Sequence, residues 1–485
     1  SLRVKRFMVQ QVALMVNFKR YMVSLAKSQL SKTMSEIPRP KSLPFIGTKL
    51  DLLVAGSGKK LHEYIDNRHR ELGPIFAECL GGNTELIFIS DAALMKTLFL
   101  NLEGKYPVHI LPEPWVLYEK LNGSKRGLFF MNGEEWLQNR RILNKHLLKD
   151  QAETWIRPPI VETVQDFVKQ LKEKSQNGLL IKDMESELYK CSINVIINIL
   201  LGQNMLPRNQ HHEELLKIFA SAVKKIFQTT TKLYAWPVKW CQRLNLKVWR
   251  DFKESVDLSL LLGNKMVLEM IKNKNDNNGL IKKLVDQNIN EENIIRIVAD
   301  LIIAAGDTTA YTTLWILWLL TNNKDALYDI RAKGDDYVKY TIKEAMRLYP
   351  VAPFLTRILP EKLLLGNYVV NNQTPIIASI YTSGRDEQNF SKAHLFLPYR
   401  WDRNNPRKEN LINHVPSASL PFAMGARSCI GKKIAMLQLT EIIIQIVQNF
   451  DFECTNKEKI NAITSQVLVP DKSIEFLFTN RHKVN

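Results

Sequence analysis

Very little in this chain serves to divide it. No long linker, internal repeat or block of low complexity interrupts its 485 residues, although length alone suggests about three domains. Only Lys272-Asn273-Lys274-Asn275-Asp276-Asn277-Asn278-Gly279 is dense in turn formers, and it reads as a surface loop between helices. Cysteine is scarce and scattered: Cys79, Cys191, Cys241, Cys429 and Cys454 are odd in number and far apart. That excludes a disulfide framework and points to a reducing compartment. Acidic residues are absent from the first 35 positions, which hold seven Lys or Arg. The apolar residues there, Phe7 to Val9 and Val12 to Val16, are broken by Gln10, Gln11 and Asn17, so no run reaches membrane-spanning length. A basic, acid-free, amphipathic start resembles a mitochondrial transit segment more than a secretory signal; the alternative is a basic helix lying on a membrane or on the protein. No nucleic-acid motif accompanies the net charge of +18, which argues against that use of it.

What is present is enough for one large core, since 45% of the residues are hydrophobic. The prolines at 38, 40 and 44 make the stretch from Ile37 to Gly47 helix-incompatible. It separates a leader, residues 1–36, from a body, residues 37–485. Ile75 to Cys79 and Glu85 to Ser90 flank Gly81-Gly82-Asn83 and predict a β-hairpin. From about residue 91 to 350 the pattern is helical, with Asp91, Asn132 or Gly133, and Asp183 opening helices. An apolar helix is expected from about Glu291 to Leu320, then Asp325 to Ala332 and Tyr337 to Tyr349. Short β segments (Leu363 to Val370, Pro375 to Ser379), a meander, a last helix to about Phe450 and a β-rich tail follow. The expected fold is mainly α with a small β portion, in a single globular domain.

The most informative stretch is Phe422-Ala423-Met424-Gly425-Ala426-Arg427-Ser428-Cys429-Ile430-Gly431. It sets one cysteine in a tight, glycine-bearing loop just before the helix opened by Ile434-Ala435-Met436-Leu437. Gly425 and Gly431 permit backbone angles closed to other residues and let a flat partner approach. A thiolate there faces the positive end of the helix and the Arg427 guanidinium, both of which favour the anion. Most lone cysteines are inert buried thiols, but the pattern F-x-x-G-x-R-x-C-x-G points instead to a metal ligand. Haem iron is a metal that takes a single axial thiolate.

Four further patterns bear on that cysteine. Glu344-Ala345-Met346-Arg347 puts two charges on one helix face, and Phe396-Leu397-Pro398-Tyr399-Arg400-Trp401 is a rigid turn offering another guanidinium. Singly these are surface features; together Glu344, Arg347 and Arg400 can form a buried network that specifies structure more than it adds stability. Ala304-Ala305-Gly306-Asp307-Thr308-Thr309 places poor helix formers inside the long helix. Either a hydroxyl bonds back to the i−4 carbonyl and bends the helix, or a groove is widened for dioxygen and water, with Asp307 and Thr308 supplying protons. Trp136 and Arg140 share a helix face in a fork suited to a carboxylate, and Arg357 and Arg427 are further candidates for that role.

In this order and over nearly everything from Ile37 onward, these motifs resemble the cytochrome P450 family. The resemblance implies a P450 fold around haem b, with Cys429 as metal ligand and Asp307 and Thr308 as catalytic residues. Trp136, Arg140, Arg357, Phe422, Gly425, Arg427 and Gly431 would contact the cofactor. It implies a monooxygenase that inserts one oxygen atom from O2 into an apolar substrate. Two departures stand out: Ala305 replaces a frequent glycine, and the segment between Thr309 and Glu344 is short.

Lys339 and Lys343, one helical turn apart, resemble the ferredoxin-docking lysines of mitochondrial members, and Lys432 and Lys433 add positive charge beside the cysteine loop. The partners implied are a mitochondrial iron–sulfur (2Fe–2S) ferredoxin and its NADPH-dependent reductase, with the enzyme on the matrix side of the inner membrane. Val351, Phe354 and Leu355 belong to the substrate pocket of the family, with residues from Leu111 to Phe130 and Val467 to Val469. Their apolar character suits a sterol-type substrate. Whole-sequence resemblance runs to the insect hydroxylases of moulting-hormone synthesis, and most to the ecdysteroid 2-hydroxylases. The alternatives are a haem-thiolate isomerase or lyase acting on peroxides without external electrons, and a P450 of another substrate: other sterol, fatty acid or xenobiotic.

Overall fold

The computed structural model describes residues 31–44, 46–81, 84–123, 126–175, 178–202, 210–234, 236–272 and 279–481. Residues 1–30 of the leader, 273–278 of the Asn-rich loop, and Gly82 and Asn83 of the hairpin turn lie outside them. The principal helices among the described residues are α1 (Gly133–Leu147), α2 (Ala152–Lys174), α3 (Met184–Leu201), α4 (Gln210–Leu233), α5 (Lys247–Lys272), α6 (Glu291–Thr321), α7 (Lys324–Lys333), α8 (Asp335–Leu348) and α9 (Lys432–Asn449).

Helix α6 is the axis of the molecule. The Asn290 side chain caps it by accepting the Asn293 N–H, and Glu291 and Glu292 occupy the first turn, where carboxylates are favoured. Beyond that turn it is apolar on most faces and therefore buried on most sides. It packs against α3, α5, α8 and α9, around a core that includes Leu188, Ile196, Ile297, Trp315, Ile342 and Ile443.

A four-stranded sheet takes the order Ile75–Glu78, Leu86–Ile89, Pro375–Ser379, Phe354–Ile358. Its first two strands pair antiparallel, Ile75 opposite Ile89, and Leu86–Ile89 runs parallel to Pro375–Ser379. Both faces are covered, so Ile75, Phe76, Ala77 and Glu78 are all buried instead of alternating. Lys32 and Thr33 pair with Tyr368 and Val369, so the folded body begins ahead of the boundary expected at Ile37. Helix α7 has ten residues and only Gly334 separates it from α8; this tight join is how the short segment before Glu344 is accommodated. No helix among the described residues is long and apolar enough to cross a membrane.

Candidate active site

The cysteine loop closes on itself: the Cys429 N–H donates to the Phe422 carbonyl at 2.9 Å and the Ser428 N–H to the Gly425 carbonyl at 3.2 Å. Gly425 sits at φ +80°, and a Cβ there would lie 2.1 Å from the Phe99 carbonyl oxygen. Backbone angle and close approach both demand glycine. Phe422, Gly425, Arg427, Ser428 and Ile430 are half-buried, yet the Cys429 side chain is accessible. Protein surrounds it, so the thiol lines a hollow and is not packed into the core. Burial pushes its pKa up, opposed by the Gly431 amide and then by Arg140 and Lys432. The sequence pointed to Arg427 as the supporting cation; the structure turns that side chain elsewhere.

Arg427 donates to the Met131 carbonyl at 2.5 Å and the Asn132 side chain at 3.0 Å, and lies over the Trp136 ring at 4.5 Å. Its Nη1 is 3.2 Å from His109 Nδ1. Burial, then the nearby Arg357 and Arg140, lower the Arg427 pKa to about 10. Burial followed by Arg427 lowers that of His109 to about 3. His109 is therefore neutral, and accepting from Arg427 at Nδ1 leaves its proton on Nε2. Glu103 is the acid of the cluster: it takes the Arg357 Nε–H at 2.6 Å and the Ala426 N–H at 2.7 Å. Arg140 reaches the Ser428 hydroxyl at 3.4 Å.

One carboxylate among so many donors leaves a remainder. Arg140 Nε, Arg357 Nη2, Arg427 Nε and His109 Nε2 are buried and make no hydrogen bond among the described residues. Unmet buried donors of this kind are costly, and a pair of carboxylates would satisfy them. No three His, Cys, Asp or Glu side chains among the described residues converge as a metal site. An accessible single thiol beside unmet cations fits a metal that arrives in its own ring bearing two carboxylates, as haem does.

On α6, Ala304 and Thr308 are exposed and Leu301 and Ala305 half-buried, although most neighbouring positions are buried. The Thr308 hydroxyl donates to the Ala304 carbonyl at 2.7 Å, so back-bonding and an open helix face coexist. Asp307 points away from that face and is buried. A Cβ at Gly306 would lie 2.5 Å from the Tyr189 ring, so glycine lets α3 close over Asp307. Burial and then the carboxylate of Glu185 raise the Asp307 pKa to about 7, against the pull of Lys224. Glu185 itself accepts from Tyr311 at 2.6 Å and from Lys224 at 2.6 Å.

Glu344 is fully buried and receives five hydrogen bonds, from Arg347 Nε and Nη2, Arg400 Nε, the Leu397 amide and Trp401 Nε1, all within 2.9 Å. Burial works to raise its pKa, but Arg347 and Arg400 outweigh it and hold the carboxyl below its usual range. The lysines differ from one another. Lys343 has its pKa lowered by burial and then by Lys432, Lys339 and Arg403, which places these cations on one surface. Lys339 pairs with Asp336 at 3.3 Å, whereas Lys433 is drawn to the Lys149 carbonyl at 2.8 Å and to Asp150. The expected pocket residues also part company. Val351 is buried in the main core and accepts the Leu468 N–H at 2.8 Å. Phe354 and Leu355 alternate across their strand into two different clusters.

Glu103, His109, Glu185, Lys224 and Arg403 carried no signal in the sequence, because their partners come from distant segments. The family model for cytochrome P450 matches residues 37–478. The chain is 37% identical to "Cytochrome P450 315a1, mitochondrial" of Drosophila melanogaster, over 92% of this chain and 88% of that one. It is 28% identical to the mitochondrial 1,25-dihydroxyvitamin D(3) 24-hydroxylase of Rattus norvegicus, over 93% and 90%. To the mitochondrial cholesterol side-chain cleavage enzyme of Oncorhynchus mykiss it is 26% identical, over 86% and 84%. With the family matched along nearly its whole length, and mitochondrial steroid-oxidising enzymes among its relatives, the chain belongs to the cytochrome P450 family and is a haem-dependent monooxygenase.

Proposed function

We propose that this P450 is a mitochondrial sterol hydroxylase in which Cys429 is the haem's thiolate ligand, and that its substrate is an ecdysteroid precursor oxidised at C2. The observation that carries the haem assignment is the accessible Cys429 thiol beside buried, unmet cationic donors. The substrate assignment rests on whole-sequence resemblance and on the Drosophila melanogaster relative. When bound, haem supplies the electron-rich centre that activates dioxygen for insertion of one oxygen atom into a C–H bond. Arg140, Arg357, Arg427 and His109 hold its carboxylates. Trp136 supports Arg427 from below, and Phe422, Gly425 and Gly431 shape the loop.

Protons are the protein's task. Lys224 is half exposed at the surface, Glu185 lies between it and Asp307, and Asp307 is one residue and about 100° around the helix from Thr308. Asp307 thus carries protons from the Glu185 side towards the open face, where Thr308 positions them. Because its pKa is raised to about 7, Asp307 holds a proton below neutrality and loses it above. Coupling of electron use to hydroxylation is expected to fall as pH rises through about 7, as that proton supply is lost. Asp307→Asn should slow turnover by roughly 10²- to 10⁴-fold and flatten that profile. A wild-type coupling that is flat across neutrality counts against the role.

Electrons come, on this reading, from an acidic ferredoxin reduced by an NADPH-dependent reductase, docking over Lys343, Lys432, Lys339 and Arg403. Reversing charge at Lys343 and Lys432 should lower ferredoxin-supported turnover by roughly 10- to 1,000-fold at low salt, the difference shrinking as salt screens the field. Product analysis with a sterol panel and a reconstituted ferredoxin chain tests the whole reading. Turnover of a hydroperoxide without ferredoxin would replace it with the isomerase alternative, and better support by a microsomal flavoprotein reductase would remove the mitochondrial class.

Peripheral membrane attachment has its own support. Tyr234, Trp236, Trp240 and Leu244 are exposed large hydrophobics, within a stretch that has no acidic residue between Glu214 and Asp251 and includes Lys232, Lys239, Arg243 and Lys247. Aromatic side chains beside cations suit an anionic bilayer surface. Trp236→Ala combined with Trp240→Ala should release the protein from anionic vesicles in a sedimentation assay; undiminished binding would move the attachment site elsewhere.

A further inference from the structure

An acid lies among the cations that hold the haem's carboxylates. Glu103 follows a single π-helical turn, Leu98–Leu102, a rare geometry that recurs at functional sites. The turn brings the chain against the cysteine loop, so closely that a Cβ at Gly425 would lie 2.5 Å from Glu103 Oε1. Glu103 and Arg357 pair at 2.6 Å with each side chain only 5% exposed. The Arg357 guanidinium lies over the Phe99 ring, 4.7 Å from its centre.

Both oxygens of Glu103 are committed. Oε2 accepts the Arg357 Nε–H at 2.6 Å and Oε1 the Ala426 N–H at 2.7 Å, so the group is an acceptor on both sides, as an ionised carboxylate is. The first bond holds the Arg357 fork with Nη2 unmet. The second ties down the loop three residues before Cys429. An acid so placed repels the haem's carboxylates unless cations outnumber it. They do, since Arg140, Arg357 and Arg427 all carry unmet donors around it. Of the ionised side chains that act on Arg427, Arg357 and Arg140 lower its pKa and Glu103 raises it. His109 is neutral and adds no charge. Three guanidiniums therefore face three carboxylates: Glu103 and the two that haem brings.

We infer that Glu103 is a positioning residue that sets the reduction potential of the haem, cancelling the one guanidinium charge that the haem's own carboxylates leave over. An electron added to the iron puts negative charge beside this cluster, in a buried site where an unmatched cation would favour it strongly. With Glu103 in place the cluster is balanced, and the potential is lower than the three arginines by themselves would impose. This rests on the haem's placement against Cys429 proposed above.

The test is a spectroelectrochemical titration of the haem-loaded protein, adding one electron per iron and reading the midpoint potential. Glu103→Gln keeps the shape and loses the charge. Its midpoint is expected to rise by roughly a tenfold change in the equilibrium between the two oxidation states, about 59 mV for one electron. Glu103→Asp keeps the charge and shortens the reach, so it should melt lower yet stay near the wild-type midpoint. Arg357→Gln leaves the acid in excess and should move the midpoint down, and the two Gln substitutions together should return it. A Glu103→Gln midpoint equal to that of the wild type, or an Asp variant that moves as far as the Gln one, overturns the inference and makes Glu103 structural. So does a folded Glu103→Gln protein that takes up no haem, because surplus positive charge does not loosen a partner bearing carboxylates. If Glu103→Gln does not fold, Arg357→Gln decides, and a midpoint that does not fall overturns the inference. The haem placement fails separately, by a Cys429→Ala protein that keeps the thiolate-type spectrum of its reduced, carbon monoxide-treated form.

Discussion

Cys429→Ala is expected to abolish hydroxylation and the thiolate-type spectrum of the reduced, carbon monoxide-treated protein, while leaving the polypeptide folded. The two halves of that expectation have separate grounds. Cys429 is accessible, so truncating it opens no core cavity, and substitutions away from packed or paired groups usually change stability by about 0.5 kcal/mol or less. The loop is held by the Cys429 and Ser428 amides, not by the thiol, and Gly425 keeps its conformation whatever stands at 429. Loss of function therefore comes from the missing ligand. Circular dichroism and thermal melting of the variant check the fold, and the carbon monoxide spectrum checks the ligand. A variant that retains that spectrum removes Cys429 from the site.

Glu344→Ala is expected to do the opposite, failing before function can be measured. The carboxylate is fully buried and neutralises part of the charge of Arg347 and Arg400, which are buried with it. The remaining donors of the two arginines go to main-chain carbonyls: Gly384, Ala393 and Leu395 for Arg347, Ser391 and Lys392 for Arg400. Glu344 is thus the hinge pin that ties helix α8 to the meander. Removing one member of such a buried set costs about 3–5 kcal/mol, because the others stay charged and unpaired. Against a total stability of about 5–15 kcal/mol, that leaves little or nothing. The measurements are soluble yield and the melting transition. A Glu344→Ala protein that melts like the wild type would show that the network contributes no net stability. Glu344→Gln keeps the shape but not the charge, and should fall between the two.

The contrast between these variants follows from what kind of information each residue carries. The cysteine loop was legible because its determinants are local: glycine backbone freedom, a thiol and a helix start lie within ten residues. The long helix and the odd Gly306 and Thr308 within it were legible for the same reason, as was the hairpin from Ile75 to Ser90. Helix ends moved by only one or two residues between expectation and structure where capping decided them. The pairing of Lys32 and Thr33 with a strand more than three hundred residues away was not legible, because no local pattern announces such a partner.

The composition and the order and spacing of the motifs determined a mainly helical chain and, through its resemblance to the cytochrome P450 family, a haem-dependent monooxygenase. They did so because each motif lies within one loop or one helical turn, where spacing dictates geometry. Folding decided where the charges point. It brought Glu103 to Arg357 across 254 residues and set Glu185 and Lys224 beside Asp307. It also turned Arg427 away from the thiol to join His109, and paired Lys339 with nearby Asp336 and Lys433 with distant Asp150 while leaving Lys343 among cations. Electrostatic partnership depends on distance through space, which chain position does not encode until the core has packed.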